Sequence, residues 1–449
     1  MKKRYDSYKP SGIDWIGDIP SHWEVLPLKR QGTMNTGLTF TKADLVESGD
    51  AVISYGQIHS GLNDKVHIKP ELIRYIPKSI SKSSDSALVS KGSFIFADTS
   101  EDREGCGNAV YIDTSDKIYA GYHTIVFRRN DENGKYLAYL FQTDAWRSQI
   151  RSQVSGVKVY SITQTILSST LVILPPGQEQ EAIAAWLDNK CGEIDAAIAK
   201  VDREIELIDE LKQSEISCVV TRGLNPDAPL RPSGIDWIGD VPEHWFNTRI
   251  KFNILRSAAG VWGDDEKGDE NDIVCFRIAD FDYDERCLST EKITIRNIES
   301  KQLEGRYLSK GDLLIEKSGG GESTPVGRVV YCNYNGKATY TNFIHSITLS
   351  DSVDSRFFLY YFNMLYSNKI NLLFFNQTTG LQNLQVSDYL GQSICLPPLS
   401  EQQAIADYLD KKCAEIDGLK AKLSKKRETL TELRQSIISE VVTGKRKVI

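Results

Sequence analysis

Few residues in this sequence combine a type and a spacing that could do chemistry. An amino-methyltransferase needs Asn, Asp or Ser before a Pro-Pro pair and an aromatic residue after it, to hold the target amine. The segments Leu174-Pro175-Pro176-Gly177 and Leu396-Pro397-Pro398-Leu399 have neither. We therefore interpret these prolines as the end of a strand ahead of a helix.

Other catalytic motifs are incomplete as well. Residues 321–328 lack the Gly-Lys-Ser/Thr ending of a phosphate-binding loop, and Gly105-Cys106-Gly107 is only half of a dinucleotide fingerprint. The nuclease-like Glu-x-Lys triplets at 210–212 and 299–301 are interpreted as solvated surface. The 6 histidines form no motif, and the 8 cysteines contain no CxxC pair. We therefore expect no catalytic residue, no metal site and reduced cysteines.

The elements that would position any functional residue are organised by an internal repeat. Residues 10–23 read PSGIDWIGDIPSHW, and residues 232–245, offset by 222, read PSGIDWIGDVPEHW. The same offset relates the two Leu-Pro-Pro segments, and it relates Val219-Val220-Thr221 to Val441-Val442-Thr443. Because one offset holds at both ends of each copy, we expect two modules of the same fold, related by a pseudo-twofold axis.

Between the shared blocks lie two regions, about 24–173 and 246–395, whose sequences differ widely. Short β-type runs, separated by Gly, Asn, Asp and Ser, are found at 51–54, 88–96, 124–127, 273–277, 308–315 and 328–331. Each region is therefore predicted to be a mixed domain dominated by short strands. The tryptophans of the shared blocks are assigned to packing; they are Trp15, Trp23, Trp237 and Trp245.

After each Leu-Pro-Pro segment the period becomes helical, and the polar residues 177–180 and 400–403 are predicted helix starts. In the first copy, apolar residues alternate steps of four and three, as in a coiled-coil seam: Ile194, Ile198, Val201, Ile205 and Ile208. In the second copy the apolar stripe consists of Ile416, Leu419, Leu423, Leu430, Leu433 and Ile437. The seam predicts a first helix from about Glu193 to Thr221, roughly 29 residues and ~43 Å long.

The net charge of −7 argues against a nucleic-acid binder that acts alone, because phosphate neutralisation needs Lys and Arg. Residues 178–217 contain eleven acidic and four basic residues, whereas 400–449 contain eleven basic and eight acidic ones. Opposite signs favour pairing of these two helices. No apolar run is long enough for a membrane span, and Met1-Lys2-Lys3-Arg4 leads into polar sequence, so we expect a cytoplasmic protein.

Several of these segments carry a family resemblance. PSGIDWIGDIPSHW, its second copy, LPPGQEQEAIAAWLD and LPPLSEQQAIADYLD resemble specificity subunits of type I restriction-modification systems. Residues 122–128, YHTIVFR, and the closing segment 441–445 are also similar to that family, and the resemblance spans the whole chain. It implies an α+β fold in which two target-recognition domains, each reading half of a split DNA site, are joined by a long antiparallel helical coiled coil.

The resemblance also implies partners. Two methyltransferase subunits would dock on the helices, at exposed positions such as Glu204 and Lys425, and two restriction subunits would act as motor and nuclease. S-adenosylmethionine, ATP and Mg²⁺ would belong to those partners. This chain would then be non-catalytic, within a complex that methylates adenine and cleaves DNA with ATP. The expected divisions are residues 1–173 and 224–395 for the two recognition domains, and 174–223 and 396–449 for the two helices.

Base readout uses polar and basic side chains chosen for each target, so we look for them beside the strand-turn features. In the first region the DNA-binding candidates are Thr39, Thr41, Tyr55, Gln57, Arg103 and Lys158. In the second region they are Trp262, Arg277, Lys317, Ser318, Arg328 and Gln382. Surface or loop support is the alternative role for each of them.

Two other functions remain open at this stage. One is a single-chain restriction or modification enzyme, although each module is already filled by a strand domain and a helix. Methyl transfer by the purified chain alone would support it. The other is a coiled-coil scaffold whose duplicated domains bind proteins. Salt-sensitive, sequence-specific DNA binding by the assembled complex would exclude it.

Overall fold

The structure is a computed structural model that describes residues 3–82, 85–129, 134–156, 158–321, 323–378 and 380–448. The chain divides into two compact units. The first unit is Met1–Asp202 with Lys425–Ile449, and the second unit is Arg203–Ser424. Each unit combines one strand-rich region with parts of two long helices. No helix in the described ranges is long and apolar enough to cross a membrane.

The first unit is built from short strands. They are β1 (Tyr8–Pro10), β2 (Asp18–Pro20), β3 (Glu24–Pro27), β4 (Gly32–Thr36), β5 (Asp50–Ile53), β6 (Arg74–Ile76), β7 (Leu88–Val89), β8 (Phe94–Ala97), β9 (Thr99–Ser100), β10 (Ala109–Tyr111), β11 (Ile118–Ala120), β12 (Thr124–Arg129), β13 (Tyr160–Ser161) and β14 (Leu171–Leu174). The helices that begin here are α1 (Tyr55–Ile58), α2 (Lys78–Ser81), α3 (Lys135–Leu140), α4 (Asp144–Arg151), α5 (Gln164–Ser169) and α6 (Gly177–Arg222). One sheet has the strand order β10-β8-β12-β4 and a second the order β6-β5-β11-β7.

Strand β8 lies at the centre of this unit because both of its faces are apolar. Successive side chains of a strand point to opposite faces. Phe94 and Phe96 pack into the cluster that contains Trp146, whereas Ile95 and Ala97 pack into a second cluster. A strand buried on both faces reads as a continuous apolar run, and this is the pattern that predicted it.

The second unit repeats this construction. Its strands are β15 (Leu230–Pro232), β16 (Asp240–Pro242), β17 (Phe246–Arg249), β18 (Ile254–Ala259), β19 (Asp264–Asp265), β20 (Asp272–Phe276), β21 (Phe281–Asp282), β22 (Cys287–Leu288), β23 (Ile295–Asn297), β24 (Leu313–Glu316), β25 (Ser318–Gly319), β26 (Val329–Tyr331), β27 (Ala338–Tyr340), β28 (Ile344–Leu349), β29 (Phe375–Thr378), β30 (Leu381–Leu384) and β31 (Ser393–Leu396). The helices that begin here are α7 (Ser300–Leu303), α8 (Ser355–Ser367), α9 (Val386–Leu390) and α10 (Leu399–Val442). The main sheets have the orders β18-β28-β24-β26-β22-β21 and β19-β23-β20-β27.

The shared blocks make the same contacts in both units. The Trp23 indole, which is fully buried, donates from Nε1 to Glu179 Oε1 at 3.2 Å. The Trp245 indole donates to Glu401 Oε1, also at 3.2 Å. In each unit the histidine before the tryptophan lies within hydrogen-bond distance, 2.8 and 2.7 Å, of the second carboxylate oxygen. Each glutamate lies in the first turn of a long helix, so the block is fastened to the start of that helix.

The packing role predicted for the tryptophans holds for three of the four. Trp23 and Trp245 are buried, and Trp237 packs against Tyr361 with ring centroids 6.2 Å apart. The prediction is wrong for Trp15, because this residue is 46% exposed. It lies in the turn between β1 and β2.

The two long helices confirm the predicted strand-to-helix change after each Leu-Pro-Pro segment. The polar helix start predicted at 177–180 is confirmed, whereas the start at about Glu193 predicted from the seam is wrong. Helix α6 begins at Gly177 and has 46 residues, and α10 has 44. The extra turns place Ile183 and Leu187 in the apolar cluster that also contains residues of the strand domain and of α10.

Acidic and basic residues join the two helices in antiparallel register. In the first unit Asp195 pairs with Arg434 at 2.8 Å and Asp202 with Arg427 at 2.6 Å. In the second unit Asp209 pairs with Lys420 at 2.8 Å and Lys212 with Asp417 at 2.6 Å. Asp195 and Asp202 are one heptad apart on α6, and their partners are one heptad apart on α10 in the reverse order, so the paired segments are antiparallel. The pairing predicted from the opposite charges of the helices is confirmed.

Not every residue of the predicted apolar stripe faces the partner helix. Ile416 and Ile437 are buried, but Leu419 and Leu433 are 52% and 45% exposed. The stripe was drawn from spacing alone, and spacing could not show which leucines lie outside the interface. The exposed leucines leave apolar surface on the helices, away from the seam.

Candidate nucleic-acid interface

An aromatic cluster lies near the surface of the first unit. The Phe40 and Tyr122 rings meet edge to face with centroids 5.0 Å apart, and Tyr122 meets Tyr55 at 5.7 Å. Tyr55 in turn contacts the ring of His123 at 5.6 Å. His123 has a left-handed backbone, with φ of 54°, and its side chain is 59% exposed. Partly exposed rings of this kind can stack on bases.

Three of the predicted residues surround this cluster. Thr39 and Thr41 are both exposed and flank its first ring. The Thr41 hydroxyl donates to Asp44 Oδ2 at 2.8 Å, which closes a short turn. The Gln57 side chain accepts from the main-chain N–H of Ser54 at 3.1 Å and so caps the first turn of α1. Thr39 and Thr41 therefore remain presented to solvent, whereas Gln57 supports the turn that carries Tyr55.

The other two predicted residues of this unit lie near a cleft of about 780 Å³. Tyr55 and Val159 both line this cleft, and the exposed Lys158 immediately precedes Val159. The Arg103 guanidinium lies 5.6 Å from the centre of the Tyr160 ring. The fold thus brings Tyr55, Arg103 and Lys158 to one side of the unit from three distant parts of the chain.

A hydrogen-bonded chain that sequence reasoning missed runs along the wall of the same cleft. The His59 Nε2 lies 2.9 Å from the Thr99 carbonyl, to which only a protonated nitrogen can donate. His59 Nδ1 is then the acceptor for the Asn108 side-chain amide at 3.1 Å. The Asn108 carbonyl oxygen accepts from Arg147. No motif signals these residues, because they come together only when four separate segments fold.

In the second unit a small three-stranded sheet carries two predicted residues. Strand β30 pairs with both β25 and β29. The Ser318 hydroxyl on β25 donates to Asn383 Oδ1 at 2.7 Å. Gln382 on β30 is 3% exposed, accepts from Val326 N–H at 3.1 Å and donates to Gly321 O at 3.3 Å. In this conformation Gln382 holds the loop that follows β25, while Ser318 lies at its edge.

Lys317 lies between β24 and β25. Its main-chain N–H donates to Phe343 O at 2.9 Å. Phe343 directly precedes β28, as His123 directly precedes β12, and it is 43% exposed. The His345 Nε2 lies 2.7 Å from the Ser257 hydroxyl, within hydrogen-bond distance. Burial, with a smaller contribution from Lys317, lowers the pKa of His345 to about 4, so this imidazole is neutral at pH 7. Lys317 therefore places a positive charge beside a neutral polar pair.

The two predicted arginines of this unit are held by carboxylates. Arg328 pairs with the buried Glu316 at 2.8 Å, and its guanidinium lies 3.7 Å from the centre of the Tyr283 ring. Arg277 pairs with Asp280 at 2.9 Å and closes the turn after β20. Because both charges are neutralised internally, these arginines support loops in the structure, and a direct DNA contact stays a prediction for them.

Trp262 lies in a different part of the second unit. Its side chain is 45% exposed, and the Arg296 guanidinium stacks on it 4.1 Å from the ring centre. Arg296 is also paired with Asp265. The structure does not bring Trp262 onto the small sheet of Ser318 and Gln382. Among the described residues no group of three His, Cys, Asp or Glu side chains could hold a metal ion, and all 8 cysteines are unpaired.

Comparison with known proteins gives a consistent result. The family model for the type I restriction modification DNA specificity domain matches residues 20–207 and 264–426. The chain is 22% identical over 435 residues to the specificity subunit of the type I restriction enzyme StySPI from Salmonella potsdam, covering 95% of this chain and 90% of the relative. It is 20% identical over 443 residues to the specificity subunit of EcoKI from Escherichia coli, covering 95% and 90% of the two chains.

A solved structure supports the fold. It belongs to a study of complex assembly and conformational transition of the type I restriction-modification system. Its TM-score is 0.68 at 18% identity, and the match covers 94% of this chain and 98% of the other. The family model matches well over half of the chain, once in each strand-rich region, in agreement with the internal repeat. The chain therefore belongs to the DNA specificity subunits of type I restriction-modification systems.

Proposed function

We propose that this subunit reads a bipartite double-stranded DNA site, with one half-site for each strand-rich region, and directs two methyltransferase and two restriction subunits to it in the cytoplasm. S-adenosylmethionine would bind the methyltransferase subunits, and ATP and Mg²⁺ would serve the partners that cleave. The chain itself would contribute recognition and no catalytic group. The methylated base would be adenine.

The observation that carries the proposal is a contrast within the repeat. The Trp-Glu contacts of the shared blocks have the same distances in both units. The residues that the fold presents near the candidate surfaces differ, as His123 and Phe343 illustrate. A constant scaffold with changed contact residues is what two readers of unrelated half-sites require, because side chains at base edges determine sequence preference.

Exposed leucines on the helices support two equivalent docking sites for the methyltransferase subunits. Leu211 of α6 is 54% exposed, and its repeat counterpart, Leu433 of α10, is 45% exposed. One belongs to each unit. Glu204 is partly exposed and Lys425 is exposed on the same helices, and Lys425 pairs only locally with Glu428 at 2.5 Å. Apolar side chains that are repeated and exposed are favourable anchors at a protein interface.

The test combines assembly with methylation mapping. Methylated adenines would be mapped genome-wide in cells with the natural chain, without it, and with Leu211→Asp and Leu433→Asp together. We expect the natural chain to add one bipartite methylated sequence. The double variant should lose methyltransferase subunits in a pull-down and lose methylation. Leu230→Asp, at a similarly exposed leucine outside the helices, is the matched control and should keep both.

Two results would contradict the proposal. If the methylated sequence remained when the chain was absent, this subunit would not direct methylation. If the leucine variants, and charge reversal at Glu204 and Lys425, all left the pull-down unchanged, the helices would not be the docking surface.

A further inference from the structure

The first unit contains a buried arginine that no carboxylate neutralises in the described part of the chain. Arg147 on α4 is 7% exposed, and its only side-chain partner is the neutral amide of Asn108. The Arg147 Nε is buried without a hydrogen-bond partner. Burying a charge is costly unless it is paired, so an isolated guanidinium of this kind needs a reason.

A lysine lies beside it. Lys65 has a left-handed backbone, with φ of 70°, in a turn whose main-chain N–H donates to Asn63 Oδ1 at 2.9 Å. Asn63 is itself fixed by two side-chain hydrogen bonds to main-chain carbonyls, at 2.8 and 3.1 Å. The turn therefore holds the lysine in place. Within the ranges that the structure covers, the Lys65 ammonium has neither an ion pair nor a hydrogen bond.

Lys65 and Arg147 both line two clefts of the first unit, of about 780 and 950 Å³. Burial, and then the charges of Arg147, Arg434 and Arg151, lower the pKa of Lys65 to about 8, against a smaller opposing effect of Asp144. The lysine is thus held in a positive field. An anion between the two groups would remove this electrostatic cost.

Several of the other charges around the larger cleft are paired, whereas Asp64, the exposed Lys69 and the exposed Glu104 have no ion pair among the described residues. Arg151 pairs with Asp144 at 2.9 Å, and Arg434 and Arg427 pair with aspartates of α6. Asp64 accepts the main-chain N–H groups of the two residues after Lys65, at 2.9 and 2.6 Å. The smaller cleft is also lined by Glu101, Asp102 and Glu104, which form no ion pair with Lys65 or Arg147 in the described structure. In the larger cleft, the cationic groups that are at least partly buried and have no ion pair among the described residues are Lys65 and Arg147.

In the second unit an arginine beside the equivalent strand is paired with a carboxylate. In the first unit the main-chain N–H of Ala97 donates to the main-chain carbonyl of Asn108 at 3.1 Å. The equivalent main-chain bond in the second unit runs from the N–H of Glu316 to the carbonyl of Arg328 at 2.8 Å. There, the buried Glu316 also neutralises the arginine through its side chain. The first unit has alanine at that strand position, so β8 supplies no carboxylate to Arg147.

We propose that Lys65 and Arg147 form a binding site for a phosphate group in the larger cleft of the first unit. The phosphate is either part of the DNA backbone or part of a small phosphorylated molecule. The DNA alternative rests on the proposed function. Both alternatives use the same chemistry, in which guanidinium and ammonium groups donate to phosphate oxygens.

The test uses the full chain assembled with its methyltransferase subunits. Binding of target and unrelated duplex DNA is measured between 50 and 200 mM salt, and inorganic phosphate is titrated by calorimetry at constant ionic strength. The variants are Lys65→Gln, which removes the charge, and Lys65→Arg, which keeps it. Lys91→Gln is the control, because Lys91 is an exposed lysine of the same unit that lines neither cleft.

If the phosphate belongs to DNA, Lys65→Gln should weaken both duplexes about fivefold at 0.15 M salt and reduce the salt slope by about one, while Lys65→Arg restores both. If it belongs to a small molecule, Lys65→Gln should abolish the phosphate heat and leave the DNA slope unchanged. The proposal is overturned if Lys65→Gln and Lys91→Gln behave alike in both titrations. Failure of the natural complex to bind DNA would instead overturn the proposed function, and the phosphate titration would still decide the site.

Discussion

Lengthening the paired helices tests whether they set the spacing of the DNA site. The perturbation duplicates residues 196–202 in α6 and, at the same time, the facing residues 427–433 in α10. These two heptads face each other because Asp195 pairs with Arg434 and Asp202 with Arg427. Together the two inserted heptads add one copy of the Asp202–Arg427 ion pair, and the register on both sides of the insertion is kept.

The magnitude follows from helix geometry. Seven residues at ~1.5 Å each lengthen both helices by ~10.5 Å. Base pairs along B-DNA are ~3.4 Å apart, so the unread gap between the half-sites should grow by about 3 base pairs. The half-sites themselves should not change, because the insertion leaves the strand-rich regions intact. For the natural chain we expect a gap of roughly 5–8 base pairs, with the reading regions centred about one DNA turn apart.

The assay is genome-wide mapping of methylated adenine in cells that also supply the partner subunits. A variant with only the α6 duplication is the control. It breaks the register of the helices on one side of the insertion, and it should lose assembly rather than shift the gap. An active double-duplication variant that methylated the original sequence with the original gap would refute the idea that the helices act as a ruler.

Two further predictions concern stability. Glu179→Ala and Glu401→Ala should each destabilise their unit by ~1–3 kcal/mol in urea unfolding, because a buried tryptophan N–H loses its acceptor; losses below ~0.5 kcal/mol would contradict this. The pKa of Lys65 is lowered in the folded state to about 8, so the unfolded state binds more protons and stability should rise between about pH 8 and 10.5. Lys65→Gln should lack this rise, and a constant stability difference from the natural chain across that range would be the opposing result.

The scaffold could be predicted because its signals are local and occur twice. The Leu-Pro-Pro segments end β14 and β31 and precede α6 and α10, as the missing proline N–H groups and the polar residues after them indicate. The charges of the two helices also predicted their pairing. The outward position of Leu433 could not be predicted, because it depends on which neighbouring surface buries an apolar residue.

The candidate site was less accessible to sequence reasoning. Arg328 and Gln382 have the residue types of base readers, but Glu316 and Val326 occupy their polar groups in the fold. Lys65 carries no motif, and its position depends on a left-handed turn and on Arg147 from a distant helix. Such properties arise from tertiary contacts. The direct contacts predicted for the twelve candidate residues stay predictions.

Replacing residues 24–173 with the equivalent region of a relative tests the central claim most directly. The measurement is the methylated sequence of the chimeric complex, mapped beside that of the natural complex. If each strand-rich region reads its own half-site, one half of the sequence should change to that of the relative, while the other half and the gap stay the same. A change in both halves, or in neither, in a chimera that still methylates would contradict the account.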